Sequence, residues 1–150
     1  MGKKIKVYIS EGIRPTIFFE WIPDIENNVL GSNFDVKLLD KKSEEDLIEV
    51  IKDADAIITR PGMTISRKTI DALTHCKIIV NLAVGFDNID IISASKKNIL
   101  VCNVPDYGTE EVADTTMALL LSLARKINYY NHNVKYDNTW NWKNGIPQFR

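Results

Sequence analysis

Few side chains in this 150-residue sequence are of a type and spacing suited to chemistry. There are two histidines, His75 and His132, and two cysteines, Cys76 and Cys102. The adjacent His75 and Cys76 invite a metal reading, but a closed zinc site takes four ligands, usually at CxxC or HxxxH spacing. The sequence has neither spacing, so no metal site is expected, and His75 reads as a histidine near a helix C-terminus, where its cationic form is favoured. Arg60 opens a loop after a short apolar run. Its guanidinium could pair with a carboxylate or phosphate in bidentate fashion, or stay a solvated surface charge. Gly85, in VNLAVGFDNID, marks a turn directly after another apolar run. Ser10, Gly12 and Thr16 faintly resemble a phosphate-cradling loop, as a flavin binder would carry, though the hydroxyls are sparse.

The elements that must position these residues follow from periodicity. Residues 4–9 alternate Ile5, Val7 and Ile9 against Lys4, Lys6 and Tyr8, a strand pattern. A loop over 10–14 leads to a helix starting at Pro15 and ending near Gly31, which Pro23 should break or kink. Residues 34–39 form a second strand, and Ser43 caps a helix whose first turn is Glu44, Glu45 and Asp46. Residues 56–59, 77–82 and 99–102 read as further strands. Between them, Ser66 caps a helix to Leu73 and Asp90 caps one to Lys97. Then one helix runs from Thr109, its cap, to about Tyr130, roughly 30 Å long. Its apolar residues, Met117, Leu120, Leu121, Ala124 and Ile127 with Leu119 and Leu123, are too many for the edge of a small domain. A second domain or second subunit should cover them. The aromatic residues Trp140, Trp142 and Phe149 imply surface packing in an otherwise polar tail.

Five short strands alternating with helices imply an α/β fold with a parallel sheet covered on both faces, because parallel strands need crossover helices. Such sheets place ligands beyond the C-terminal ends of their strands. The loops to inspect are therefore 10–14, 60–65, 83–88 and 103–108.

Composition narrows the partners. Hydrophobic residues make up 45% and charged residues 26%, with a net charge of −1, so no field draws in nucleic acid or an anionic membrane. The longest apolar segment falls well short of the roughly 20 residues a spanning helix needs, and no signal-peptide pattern opens the chain. Two cysteines in core-like sequence fit a reducing compartment without a structural disulfide. The reading is a cytoplasmic protein.

VGFDNIDI, VCNVPDYGTEEVAD, TMALLLSLAR and TWNWKNGIPQFR, in this order, closely resemble the N-terminal half of the D-isomer-specific 2-hydroxyacid dehydrogenases, in the manner of phosphoglycerate dehydrogenases and the C-terminal-binding-protein corepressors. The strongest similarity covers residues 58–150. The resemblance implies a flavodoxin-like substrate domain over 1–103. Residues 104–150 would supply a hinge at Asn103, Val104 and Pro105, a long crossover helix, and the approach to a Rossmann domain. It further implies NAD or NADP as cofactor and a small 2-hydroxy or 2-keto acid as substrate. Val84 and Gly85 resemble the turn whose backbone N–H groups hold the substrate carboxylate, or form a plain tight turn. Arg60 resembles a residue near the substrate, and Val84 and Val112 resemble positions near the nicotinamide; Val112 is equally explained by helix packing. The family's GxGxxG and its catalytic arginine, glutamate and histidine match nothing in these 150 residues. The chain alone is therefore expected to be inactive, with weak or no cofactor binding. The alternative is a non-catalytic module that dimerises through the 110–130 helix.

Overall fold

The computed structural model describes residues 4–10, 24–39 and 43–140. The chain divides into two compact units, Met1–Pro105 and Asp106–Arg150. In the first, strands β1 (Ile5–Ser10), β2 (Phe34–Leu39), β3 (Ala56–Thr59), β4 (Ile78–Asn81) and β5 (Leu100–Cys102) alternate with helices α1 (Asp24–Leu30), α2 (Glu44–Ile51), α3 (Arg67–Ala72) and α4 (Ile91–Lys96). Every strand pair is parallel, in the order β2-β1-β3-β4-β5. This is the flavodoxin-like order, with its switch point between β1 and β3, and it is the fold class implied by the sequence.

Right-handed crossovers explain the layering. The chain steps in one direction from β2 to β3, β4 and β5, which puts α2, α3 and α4 on one face; the opposite step from β1 to β2 puts α1 on the other. In agreement, α2 touches α3 and α3 touches α4. The strands record the asymmetry residue by residue. Ile57, Thr59, Ile79 and Asn81 are buried, while their alternates Ala56, Ile58, Ile78 and Val80 keep partial exposure. Leu47 and Ile51 of α2, Ile70 of α3 and Ala94 of α4 are fully buried. Each large aliphatic among them contributes about 1.5–3 kcal/mol through burial.

Local chemistry sets the helix starts as the sequence implies. The hydroxyl of Ser43 accepts from the Asp46 N–H at 3.2 Å, that of Ser66 from the Lys68 N–H at 3.1 Å, and the Asp90 carboxylate from the Ser93 N–H at 2.9 Å. α1 begins directly after Pro23; the expected helix start at Pro15 and the 10–14 loop beyond Ser10 lie outside the described residues, as do Gly12 and Thr16. Ile25 and Val29 of α1 are exposed. Strand ends shift by a residue: β1 extends to Ser10, and β4 and β5 each start one residue late.

The second unit corrects the single-helix expectation. Helix α5 covers Thr109–Ala124 and a separate helix α6 covers Ile127–Lys135. Lys126 between them adopts a left-handed φ of 58°. The N–H groups of Arg125 and Lys126 close α5 onto Leu121 and Leu123, and Tyr130 then bonds back to Lys126 to begin α6. No glycine marks the break, so nothing in the local pattern announced it. Thr109 is the first helical residue rather than the cap; the cap position is Gly108, which has no side chain to offer. None of the residues of α5 is buried. In the tail, the ring of Trp140 lies 6.4 Å from that of Tyr130, and Trp142 and Phe149 fall outside the described residues. Among the described residues no helix is long and apolar enough to cross a membrane.

Candidate functional site

The C-terminal edge of the sheet is where the fold places a ligand, and polar residues collect there. Ile9 pairs with Ile58 and Thr59 with Asn81, so Ser10, Thr59 and Asn81 follow one another in a row across β1, β3 and β4. All three are buried. The Ser10 hydroxyl and the Asn81 amide oxygen have no hydrogen-bond partner among the described residues. Ser10 is buried, and Gly12 and Thr16, the rest of the phosphate-cradle pattern, lie outside the described residues.

Beyond β4 the chain turns through residues 82–90, and side-chain amides hold this turn from three sides. The Asn81 amide NH2 donates to the Gly85 carbonyl at 2.6 Å and to the Asn88 amide oxygen at 3.2 Å. Asn88 in turn donates to the Met63 carbonyl at 2.9 Å. Asn103, just past β5, donates to the Val84 carbonyl at 2.8 Å, and the Val104 N–H donates to Ala83 at 3.0 Å. The carbonyls of Val84 and Gly85 are thus both engaged, whereas their N–H groups have no acceptor among the described residues. The Val84 side chain is 48% exposed. Gly85 is not in the left-handed region. A Cβ there would stand 3.0 Å from the Asp87 carboxylate, the movable end of an exposed side chain.

Arg60 follows β3 at the same edge and is half-buried. Its carbonyl accepts from the Met63 N–H at 3.4 Å, and Gly62 has φ +95°. Arg60, Pro61, Gly62 and Met63 therefore form a type II turn, with proline and glycine at the positions that need them. The loops are laced together: the Ile65 N–H donates to Asn88 at 2.8 Å and the Asp90 N–H to Ile65 at 3.0 Å. The Asp90 carboxyl is held below the usual aspartate range by the Ser93 N–H and hydroxyl. A cleft of about 510 Å³ opens beside β5, walled by Ile91, Ser95 and Leu100, and reaches this edge through Phe86, Cys102 and Asn103.

Arg60, Val84 and Gly85 thus lie in loops at one sheet edge. Val112 belongs to the second unit, in the first turn of α5, with its side chain exposed. His75 is exposed past the end of α3, and no group of three or more His, Cys, Asp or Glu among the described residues could hold a metal. Both cysteines are free thiols, Cys76 buried and Cys102 exposed; burial raises the Cys76 thiol pKa. Asn81 and Asn88 escaped the sequence reading. The available signal was a lone amide inside the apolar run KIIVNL, whose continuous apolar residues assign it to neither face.

A parallel sheet of this order, with a loop cluster carrying unengaged N–H groups at its C-terminal edge, defines a flavodoxin-like α/β domain. The family described as "D-isomer specific 2-hydroxyacid dehydrogenase, catalytic domain" matches residues 16–141, and the chain belongs to that family. It is 35% identical over 119 residues to glyoxylate reductase of Pyrococcus furiosus, covering 77% of this chain and 35% of that protein. It is 42% identical over 85 residues to D-3-phosphoglycerate dehydrogenase of Methanocaldococcus jannaschii, covering 57% of this chain and 16% of that one. Among solved structures, D-lactate dehydrogenase of Aquifex aeolicus, complexed with NAD and lactic acid, superposes with a TM-score of 0.76 at 23% identity, over 95% of this chain and 40% of that one. The NAD+-bound 3-phosphoglycerate dehydrogenase of Entamoeba histolytica does so with a TM-score of 0.64 at 31% identity, over 82% and 40%. The chain therefore spans well under half the length of these relatives.

Proposed function

We propose that this chain is the substrate-binding portion of a dehydrogenase that transfers hydride between a nicotinamide cofactor and a small 2-hydroxy or 2-keto acid. The observation that carries the reading is the Val84–Gly85 turn. Its two carbonyls are tied down by Asn103 and Asn81, and its two N–H groups are left for an anion. Adjacent backbone N–H groups form a concave anion site, and a substrate carboxylate is the natural occupant. Arg60, at the same edge, would add a guanidinium to that carboxylate, and Val84 would border the nicotinamide.

The residues present do not fit the cofactor's pyrophosphate. No GxGxxG occurs in the 150 residues. The first turns of the helices of at least eight residues that open with acidic side chains, Glu44 to Asp46 in α2 and Glu110 and Glu111 in α5, would repel a phosphate at the end that otherwise favours it. The proposed cofactor is NAD or NADP, since solved neighbours carry NAD in some cases and NADPH in another.

The same reading makes the protein cytoplasmic and pairs it with a second copy through the 110–130 region. The exposed Met117, Leu120 and Leu123 of α5 are the observation favouring self-association, whether in an enzyme or in a non-catalytic module.

Titrating the isotope-labelled 150-residue chain with glyoxylate should shift the Val84 and Gly85 amide resonances saturably. Unmoved resonances there would overturn the carboxylate assignment. Mixed with NADH and glyoxylate, the same chain should leave NADH absorbance constant. Steady oxidation would show that these residues suffice for catalysis.

A further inference from the structure

The Asn81 amide occupies a position that packing alone would give to an apolar side chain. It is buried in the row with Thr59, two residues after the fully buried Ile79 on the same face of β4. Its amide oxygen has no partner among the described residues, so half of its hydrogen-bonding capacity goes unmet in a low-dielectric interior, where that is unfavourable. The other half is used twice, on the Gly85 carbonyl at 2.6 Å and the Asn88 amide oxygen at 3.2 Å. A residue serving stability alone would not leave this imbalance.

We infer that Asn81 is a positioning residue for substrate. By holding the Gly85 carbonyl toward the sheet, it fixes the Gly85–Phe86 peptide plane and so anchors the far end of the turn. Asn103 on the Val84 carbonyl and the Val104 N–H on the Ala83 carbonyl fix the planes that carry the Gly85 and Val84 N–H groups. Asn88 extends the hold: it accepts from Asn81 and donates to Met63, the last residue of the Arg60 turn. One amide pair thereby couples the carboxylate-binding turn to the loop that carries Arg60. Preorganised donors bind an anion more tightly than mobile ones because no ordering is left to be done on binding. The inference rests on the carboxylate assignment for Val84 and Gly85, and it adds the anchor that holds the far end of the turn carrying those donors.

The test is the glyoxylate titration repeated on Asn81→Asp, with the Val84 and Gly85 amide resonances as readout. An ionised carboxylate at this position cannot donate to the Gly85 carbonyl and repels it. Glyoxylate should bind at least about tenfold more weakly, the equivalent of one good hydrogen bond. Burial raises a carboxyl pKa, so lowering the pH should protonate the new side chain, restore a donor to Gly85 and recover affinity. The wild-type chain carries the same Arg60, Asp87 and Asp90 and serves as the reference for their contribution to the pH profile. A residue with a merely structural role would not yield tighter binding in acid. Asn88→Asp keeps the acceptor for Asn81 but loses the donation to Met63, and should weaken binding less.

If wild type binds and Asn81→Asp binds equally well with the same pH profile, the positioning role is wrong while the carboxylate site stands. If wild type fails to shift at Val84 and Gly85, the site itself is wrong and Asn81 has nothing to position. Should Asn81→Asp not fold, the wild-type chain still decides. The Asn81 amide protons should exchange with solvent more slowly as glyoxylate saturates the turn, and exchange unchanged by glyoxylate would overturn the inference.

Discussion

The two units of this chain treat similar apolar sequence in opposite ways. In the first, α2 presents Leu47 and Ile51 to the sheet and buries both completely, against Ile57 and Ile79, which are also fully buried. In the second, α5 carries Met117, Leu119, Leu120, Leu121 and Leu123, and each is more than half exposed. The difference is one of layers. A helix contributes to stability when its apolar stripe meets a second layer, and the first unit supplies one from β1, β3 and β4. The apolar residues of α5 extend around much of its circumference, so no single contact face accounts for them. The sheet unit closes its own core, while the apolar side chains of α5 stay exposed.

Four substitutions would break or sharpen this contrast. The largest effect is expected from Ile79→Ala in β4, which empties a fully buried site and should destabilise the sheet unit by roughly 2–5 kcal/mol. Leu120→Ser in α5 should change that unit's stability by less than about 0.5 kcal/mol and should instead reduce self-association. Urea unfolding paired with light scattering would separate the two; equal destabilisation by both would dissolve the contrast.

A middle-sized effect is expected at Lys97, whose ammonium donates to the carbonyls of Ile70, Asp71 and Leu73 at 2.9, 3.0 and 2.7 Å. It thereby satisfies the C-terminal end of α3 from the end of α4. Lys97→Met should cost about 1.5–3 kcal/mol, the range for hydrogen bonds to a charged group, as a lower urea midpoint. An unchanged midpoint would mean that water replaces the ammonium without loss.

The smallest effect concerns pH and again lies in the sheet unit. Burial pushes the Glu44 carboxyl up, but hydrogen bonds from Ser66 and Thr69 and the charge of Lys68 outweigh it, leaving Glu44 below its ordinary value of 4.5. A carboxylate whose pKa is lowered by folding contributes stability that is fully present above the unfolded value. That stability fades as pH falls through the lower folded one. Glu44→Gln should therefore flatten the acid side of the stability profile below about pH 4.5 and leave the second unit's helicity untouched. An acid limb identical to wild type would remove Glu44 from the account.

Much of the fold is legible in the residues. Ser43, Ser66 and Asp90 cap where short side-chain acceptors precede helical patterns, and 56–59 is a strand at both ends because β-branched residues fill it between polar bounds. The break at Lys126 was not legible, since a left-handed lysine carries no local signature and neither glycine nor proline stands there. Pro61 and Gly62 were visible as a loop, but the turn they form depends on Met63 returning to Arg60. The candidate site divides likewise. Val84, Gly85 and Arg60 were reached through motif and fold logic. Asn81 and Asn88 were not, because amides acquire their roles from partners distant in the sequence or across a turn.

By itself, the sequence determined the strand and helix order, the parallel class of the sheet and the family, since these rest on periodicity, capping and ordered motifs. Tertiary structure alone decided which face of each strand is buried, where α5 stops, and that three asparagines converge on one turn. Those outcomes depend on crossover handedness and on hydrogen bonds such as Asn88 to Met63 and Asn103 to Val84. Bonds of that kind join residues far apart in the chain, and no local pattern encodes them.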